Sequence, residues 1–236
     1  MIHRALLIGM ALVGPALGIA QTFEEQVSEF GLLQSKEVQT ELGIDEALRN
    51  KMNKFADDFN AKANKLQEEY RKSAEGKTTP PPAPVAKLQQ LELTLRKNVY
   101  GLLNTAQKKR LSELTLQTAG YPALMNPVVA KKVGLSDAQV KKLRDAYEQT
   151  GRKVNKLQED ALKPIQDKYG KEKPANQEEQ QALQEKINAE AKGVMDKLAP
   201  QLQVLRDEWL LVLKKTVKAI QLNKFETLQG KPFKPK

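Results

Sequence analysis

Two pentapeptides carry the most specific side-chain chemistry in this sequence. LNTAQ at 103–107 and LSDAQ at 135–139 each set a short polar side chain three residues ahead of a glutamine. At a helix start, Asn104 or Ser136 can then accept a hydrogen bond from the amide of Gln107 or Gln139. The glutamine side chain reaches back to the amide of the capping residue, closing a capping box. Leu103 and Leu135, just outside the caps, are placed to staple the entry of the chain. This is the chemistry of helix initiation. Catalysis has little to draw on, because the 236 residues contain no Cys and a single His. That residue, His3, falls in a segment read below as a leader. A thiol nucleophile, an imidazole base and a His or Cys metal site are therefore missing. Carboxylate pairs such as Glu68/Glu69 and Glu178/Glu179 read as solvent-facing helix charges, and no Asp-rich loop has calcium spacing. The expectation is a protein that is not an enzyme and carries no cofactor and no metal.

The N-terminus predicts export. MIHR is a short basic start, ALLIGMALVGPALG is an uncharged and mostly apolar run, and GIA offers small residues for cleavage between Ala20 and Gln21. Residues 1–20 read as a signal peptide, too short for a membrane span, and no Cys follows that could carry a lipid. No later stretch is apolar enough to cross a bilayer, so the mature chain is expected to be periplasmic or secreted with no integral span. The net charge of the whole chain is +10, which raises the odds of acidic partners. Positive and negative residues are nevertheless interleaved, as in EEYRK at 68–72, which is the pattern of a solvated helix face. No nucleic-acid-binding motif is present, and nucleic acid is not an expected partner.

The elements that must position the pentapeptides are helices. Charged residues make up 29% of the chain and aromatics only 5%, and strong helix formers dominate. Residues 42–68 and 133–159 align at an offset of 91 with nine identities in 27 positions, including the run NKLQE at 64–68 and 155–159. A second pair follows at an offset of 114, where Gln107, Leu111 and Leu114 match Gln221, Phe225 and Leu228. The reading is an internal duplication with a longer second copy. Asp45 can cap the first-copy helix, although Leu48 replaces the glutamine. VKAIQ at 217–221 keeps Gln221 without a cap, so the helix is expected to run straight through.

Heptad-like stripes follow the caps. Met52, Ala56, Phe59, Ala63, Leu66 and Tyr70 form one. Val140, Leu143, Tyr147, Thr150, Val154, Leu157 and Ala161 form the other. Each narrow seam needs a partner helix. After turns at 76–84 (GKTTPPPAP) and 169–177 (YGKEKPANQ), apolar residues resume on a return helix, with Pro164 and Pro200 expected to kink or break the longer arms. The fold class is thus all-α: two duplicated antiparallel helical hairpins with long amphipathic, coiled-coil-like arms. The domains are 21–120 for the first repeat and 121–229 for the second, joined at Gly120-Tyr121-Pro122. Residues 230–236 form a basic tail, extended or disordered. A seam left uncovered in cis would be covered by a second copy, so a homodimer stays open.

LSDAQ and LNTAQ resemble the Leu-Thr-x-x-Gln (LTxxQ) motif of the Spy/CpxP family of periplasmic helical proteins, with Ser136 or Asn104 where that family has Thr and with Gln139 and Gln107 matching its Gln. A weaker similarity, in basic charge and long hairpin arms, is to the Skp-like chaperones. The Spy/CpxP resemblance implies a curved helical cradle and an ATP-independent chaperone-like or envelope-stress protein that holds unfolded or envelope proteins. Its partners would be protein clients or envelope components. On this reading the client surface is a partly apolar groove near Phe55, Phe59, Tyr147 and Trp209, rimmed by Lys131-Lys132 and Lys141-Lys142. The alternative is a structural envelope protein that binds peptidoglycan or an outer-membrane component.

Overall fold

The computed structural model describes residues 22–75, 82–172 and 174–234. The leader expectation, with Ala20 and Gln21, lies outside them. Among the described residues there is no strand, and the chain is all-α. No described helix is long and apolar enough to cross a membrane. The chain divides into two compact units, Met1–Ser112 and Glu113–Lys236.

The first unit opens with α1 (Phe23–Val27), a 3-10 helix at Phe30–Gln34 and α2 (Lys36–Glu41). The hairpin arms α3 (Glu46–Ala74) and α4 (Val85–Leu102) follow, and α5 (Thr105–Ala119) begins in this unit. The second unit repeats the order: a 3-10 helix at Tyr121–Met125, α6 (Pro127–Val133), then the arms α7 (Asp137–Tyr169) and α8 (Gln177–Thr216), then α9 (Ala219–Gln229). The duplication is visible in the element starts, since both 3-10 helices, α2 and α6, and α3 and α7 begin 91 residues apart. The division between the units falls inside α5. Its C-terminal half packs with the second unit, where Gln117 holds the tail. The Gln117 side chain donates to the carbonyls of Gln229 and Lys231 and accepts from the amide of Phe233 at 2.9 Å.

Matched residues have matched surroundings. Leu33 and Leu124, Val38 and Val129, and Leu42 and Val133 are all buried. The turn into each long arm is the same structure. Gly43 and Gly134 adopt positive φ, at 61° and 81°. The next amide, of Ile44 or Leu135, returns to the carbonyl of Gln39 or Ala130 at 2.9 Å in both copies, which is the Schellman closure of a helix C-terminus. A β-carbon at either glycine would meet nothing within 4 Å, so the left-handed backbone alone resists substitution. Gly43→Ala and Gly134→Ala are expected to destabilise their own units by about 1 kcal/mol each, and by similar amounts, as read by urea denaturation.

The arms pair as antiparallel hairpins. Met52 and Ala63 are buried on α3, Val99 and Tyr100 on α4, Leu143 and Ile165 on α7, and Leu198, Trp209 and Leu213 on α8. Every residue of the two stripes is buried or half-buried except Tyr147. At 1.5 Å per residue, α7 is about 50 Å long and α8 about 60 Å. Each arm has one neighbour along most of this length, which is why so much of the seam is only half-buried.

One expectation fails, and of the two outcomes expected at the prolines the break does not occur. The helix does not run through 217–221: α8 ends at Thr216, Val217 is extended and buried, and α9 starts at Ala219. The break is held by tertiary contacts described below. Pro164 and Pro200 do not break their arms, since α7 and α8 continue past them. A proline removes the donor for the carbonyl four residues earlier. Here those residues, Asp160 and Asp196, are exposed, and water can serve their carbonyls.

Candidate functional site

Both pentapeptides form complete capping boxes. The Gln139 amide donates to Ser136 Oγ at 3.3 Å, and the Ser136 amide donates to Gln139 Oε1 at 3.0 Å. At the start of α5 the corresponding bonds between Asn104 and Gln107 are both 2.9 Å. Leu103 is buried and Leu135 half-buried, as staples require.

The glutamines do more than cap. Each box uses the side-chain oxygen and leaves the NH2 free to donate twice. Gln107 Nε2 donates to the carbonyl of Leu42 at 3.1 Å, tying the start of α5 to the turn before α3. Gln221 does the same in the second unit: its oxygen accepts from the Lys218 amide at 3.0 Å and its nitrogen donates to the carbonyl of Gly134. Gln139 completes the arrangement. Its nitrogen donates to the Thr216 carbonyl at 2.7 Å and to Gln221 Oε1 at 3.0 Å, and Gln221 Nε2 lies 3.3 Å from Gln139 Oε1. Two helix N-termini, those of α7 and α9, are thereby clasped amide to amide, and the break at Val217 is fixed. The first unit has half of this device. Asp45 caps α3 by accepting from the Leu48 backbone amide at 2.7 Å, but Leu48 has no side-chain amide to return. Gln221 was legible in the sequence as a retained glutamine; its partner was not.

The four aromatic side chains expected near a groove fall into two places. Phe55 and Phe59 are half-buried on α3 of the first unit. Tyr147 and Trp209 meet across the second hairpin, with ring centroids 5.5 Å apart at an interplanar angle of 70°. This edge-on geometry suits the ring quadrupoles. Trp209 is 7% exposed and lies in the seam, with its indole N–H unpaired, whereas Tyr147 is 45% exposed. Two further apolar residues of this hairpin escaped the sequence reading. Val204 and Leu211, seven residues apart on one face of α8, are 58% and 55% exposed. The signal was their position off the seam register set by Leu198, Leu202, Leu205, Trp209 and Val212. Lys131, Lys132, Lys141 and Lys142 are all exposed in the same unit, and Lys141 pairs with Asp145 on its own helix at 2.6 Å.

Charged contacts join the arms of this hairpin. Lys153 meets Glu208 at 2.9 Å. Near the tip, Glu190 accepts from Lys168 Nζ at 2.6 Å and from the Tyr169 hydroxyl at 2.7 Å. The two donors, Lys168 first, hold the Glu190 carboxyl below the ordinary value of 4.5. A depressed carboxylate contributes stability that is present above its unfolded value and lost as pH falls through the folded one. Tip closure is therefore expected to weaken as pH drops below about 4.5. Amide exchange at 165–169 and 187–190 reads this directly, and Glu190→Gln should remove that pH dependence.

No family model, no curated protein and no solved structure matches the chain.

Proposed function

We propose that this chain is an exported helical binding protein that holds non-native or envelope proteins, without catalysis and without nucleotide. The observation that supports this most is the apolar surface left open on the second hairpin. Tyr147, Val204 and Leu211 stand exposed on arms whose seam is already filled. Val204 and Leu211 lie off the seam, and Tyr147 meets Trp209 with one edge only; exposed apolar surface of this kind is where partners bind. The two capping boxes resemble the LTxxQ pattern of periplasmic helical chaperones. The clasp between Gln139 and Gln221 braces the base of the second hairpin and leaves its arms available.

The test uses fluorescein-labelled, reduced and carboxymethylated lactalbumin, a chain that cannot fold. Fluorescence anisotropy should rise on titration with the full-length protein and saturate near stoichiometric amounts. The variant Val204→Ser/Leu211→Ser should bind about tenfold more weakly, because two large apolar contacts are removed. An absence of binding, with salt-sensitive retention on purified peptidoglycan, would instead favour a structural role at the cell wall.

A further inference from the structure

The segment after α9 makes a contact that the first copy lacks. At the offset that aligns α5 with α9, Gly230 stands where the first copy has Leu116. The α5 helix runs through Leu116 to Ala119, whereas α9 stops at Gln229. Gly230 takes a φ of 63°, and a β-carbon there would run into the Glu113 carboxylate, so the turn presses close to α5. Residues 231–234 then meet the end of that helix, where Gln117 reads their main chain. Gln117 Nε2 donates to the Lys231 carbonyl at 2.7 Å, and Gln117 Oε1 accepts from the Phe233 amide at 2.9 Å. One side-chain amide thus serves a carbonyl and the amide two residues on, as one residue of a neighbouring parallel strand does. The residue between them is Pro232, which has no N–H to offer. Phe233 is half-buried, while Lys231, Pro232 and Lys234 are exposed. Exposed hydrogen bonds and a single half-buried ring put this segment at the low end of local opening free energies.

We infer that the strip of α5 around Gln117 is a binding site for an extended segment of another protein chain, and that residues 231–234 are its built-in competitor. The way the competitor is held gives the partner's chemistry. Gln117 bonds to main-chain groups, so the partner is extended and its side chain is free at the position of Lys231. No N–H is required at the position of Pro232. The half-buried Phe233 ring sets the one side-chain requirement, an aromatic residue at the position whose amide Gln117 binds. Main-chain bonds for affinity and a side-chain contact for selection are how sheet edges read extended peptides. Exchange disturbs no helix. Gln117 Nε2 also donates to the Gln229 carbonyl, and Gln229 Nε2 donates to the Leu116 carbonyl at 3.2 Å. Those two bonds belong to the end of α9 and persist when the residues beyond Gly230 leave. The competitor lowers the apparent affinity of a partner by the fraction of time that the strip is open. This site does not involve the hairpin arms, and it stands independently of the holding activity proposed above.

The experiment titrates full-length protein, labelled with nitrogen-15, with the peptide acetyl-GKPFK-amide, which supplies residues 230–234 in trans. Amide shifts of residues 116–119 and of the Gln117 side chain report binding. Phe233→Ser in the protein weakens the built-in competitor, so this variant should bind the peptide at least about tenfold more tightly than the parent does. Adding Gln117→Leu to Phe233→Ser should reverse that gain. A peptide with N-methylphenylalanine lacks the N–H that Gln117 accepts, and a second peptide has Ser in place of Phe. Each should bind at least about tenfold more weakly than the first peptide. The N-methyl peptide tests the hydrogen bond with Gln117 intact, so it does not depend on how the leucine variant folds. The proposal is overturned if Phe233→Ser does not bind the peptide at about 5 mM, or if it binds no more tightly than the parent. Binding that is unchanged by N-methylation or by Gln117→Leu overturns it too. Self-association of the parent that Phe233→Ser abolishes would also overturn it, by assigning the strip to the same segment of a second copy.

Discussion

Phe225→Ala should destabilise the second unit by about 3–5 kcal/mol, the largest effect expected of any single truncation here. Phe225 is fully buried and its ring lies 6.0 Å from that of Tyr121. It belongs to α9, an eleven-residue helix that is too short to hold its structure without tertiary packing. The equivalent residue of the first copy is Leu111, also fully buried. Leu111→Ala should therefore cost about 2–5 kcal/mol, while Phe225→Leu, which imitates the first copy, should cost about 1.5 kcal/mol or less. Urea denaturation followed by circular dichroism gives all three values. A loss below about 1 kcal/mol for Phe225→Ala would mean that α9 is not anchored through this ring.

The second large effect is expected at the amide clasp. Gln221 serves the Lys218 amide, the Gly134 carbonyl and the Gln139 side chain, and it is buried. Gln221→Leu leaves two backbone groups and one side-chain amide without their partner, at about 2–3 kcal/mol. Gln139→Leu should be milder, about 1 kcal/mol, because the first copy already carries Leu48 at that position and still caps α3 through Asp45. The two changes should not add. A double-mutant cycle is expected to return a coupling of about 1–2 kcal/mol, since the residues share hydrogen bonds. An additive cycle would show that the amides act independently.

What the sequence disclosed depended on whether the determining groups were local. Asp45, Asn104 and Ser136 cap helices through residues three positions away, so a short window contains both partners. The seams were equally legible, because a 3,4 spacing marks one helix face wherever the partner lies. The break at Val217 was not legible. Lys218 has no capping oxygen, and the stop there is enforced by buried Val217 and by amide contacts between Gln221 and Gly134 or Gln139, more than eighty residues distant in the chain. The anchoring of the tail was hidden for the same reason. Residues 231–234 look unconstrained in sequence, yet Gln117 holds them from α5. At Pro164 and Pro200 a local rule predicted a kink or a break, and the helices continue past both, because solvent exposure lets them absorb the lost hydrogen bonds. Val204 and Leu211 were hidden by the very strength of the seam pattern beside them.

A chemically denatured client, such as citrate synthase diluted from guanidinium, offers the most direct test of the holding activity. Light scattering should be suppressed by an equimolar amount of this protein with no nucleotide present, and suppression should fade in Val204→Ser/Leu211→Ser. Undiminished aggregation at a several-fold molar excess of the folded protein would contradict the account.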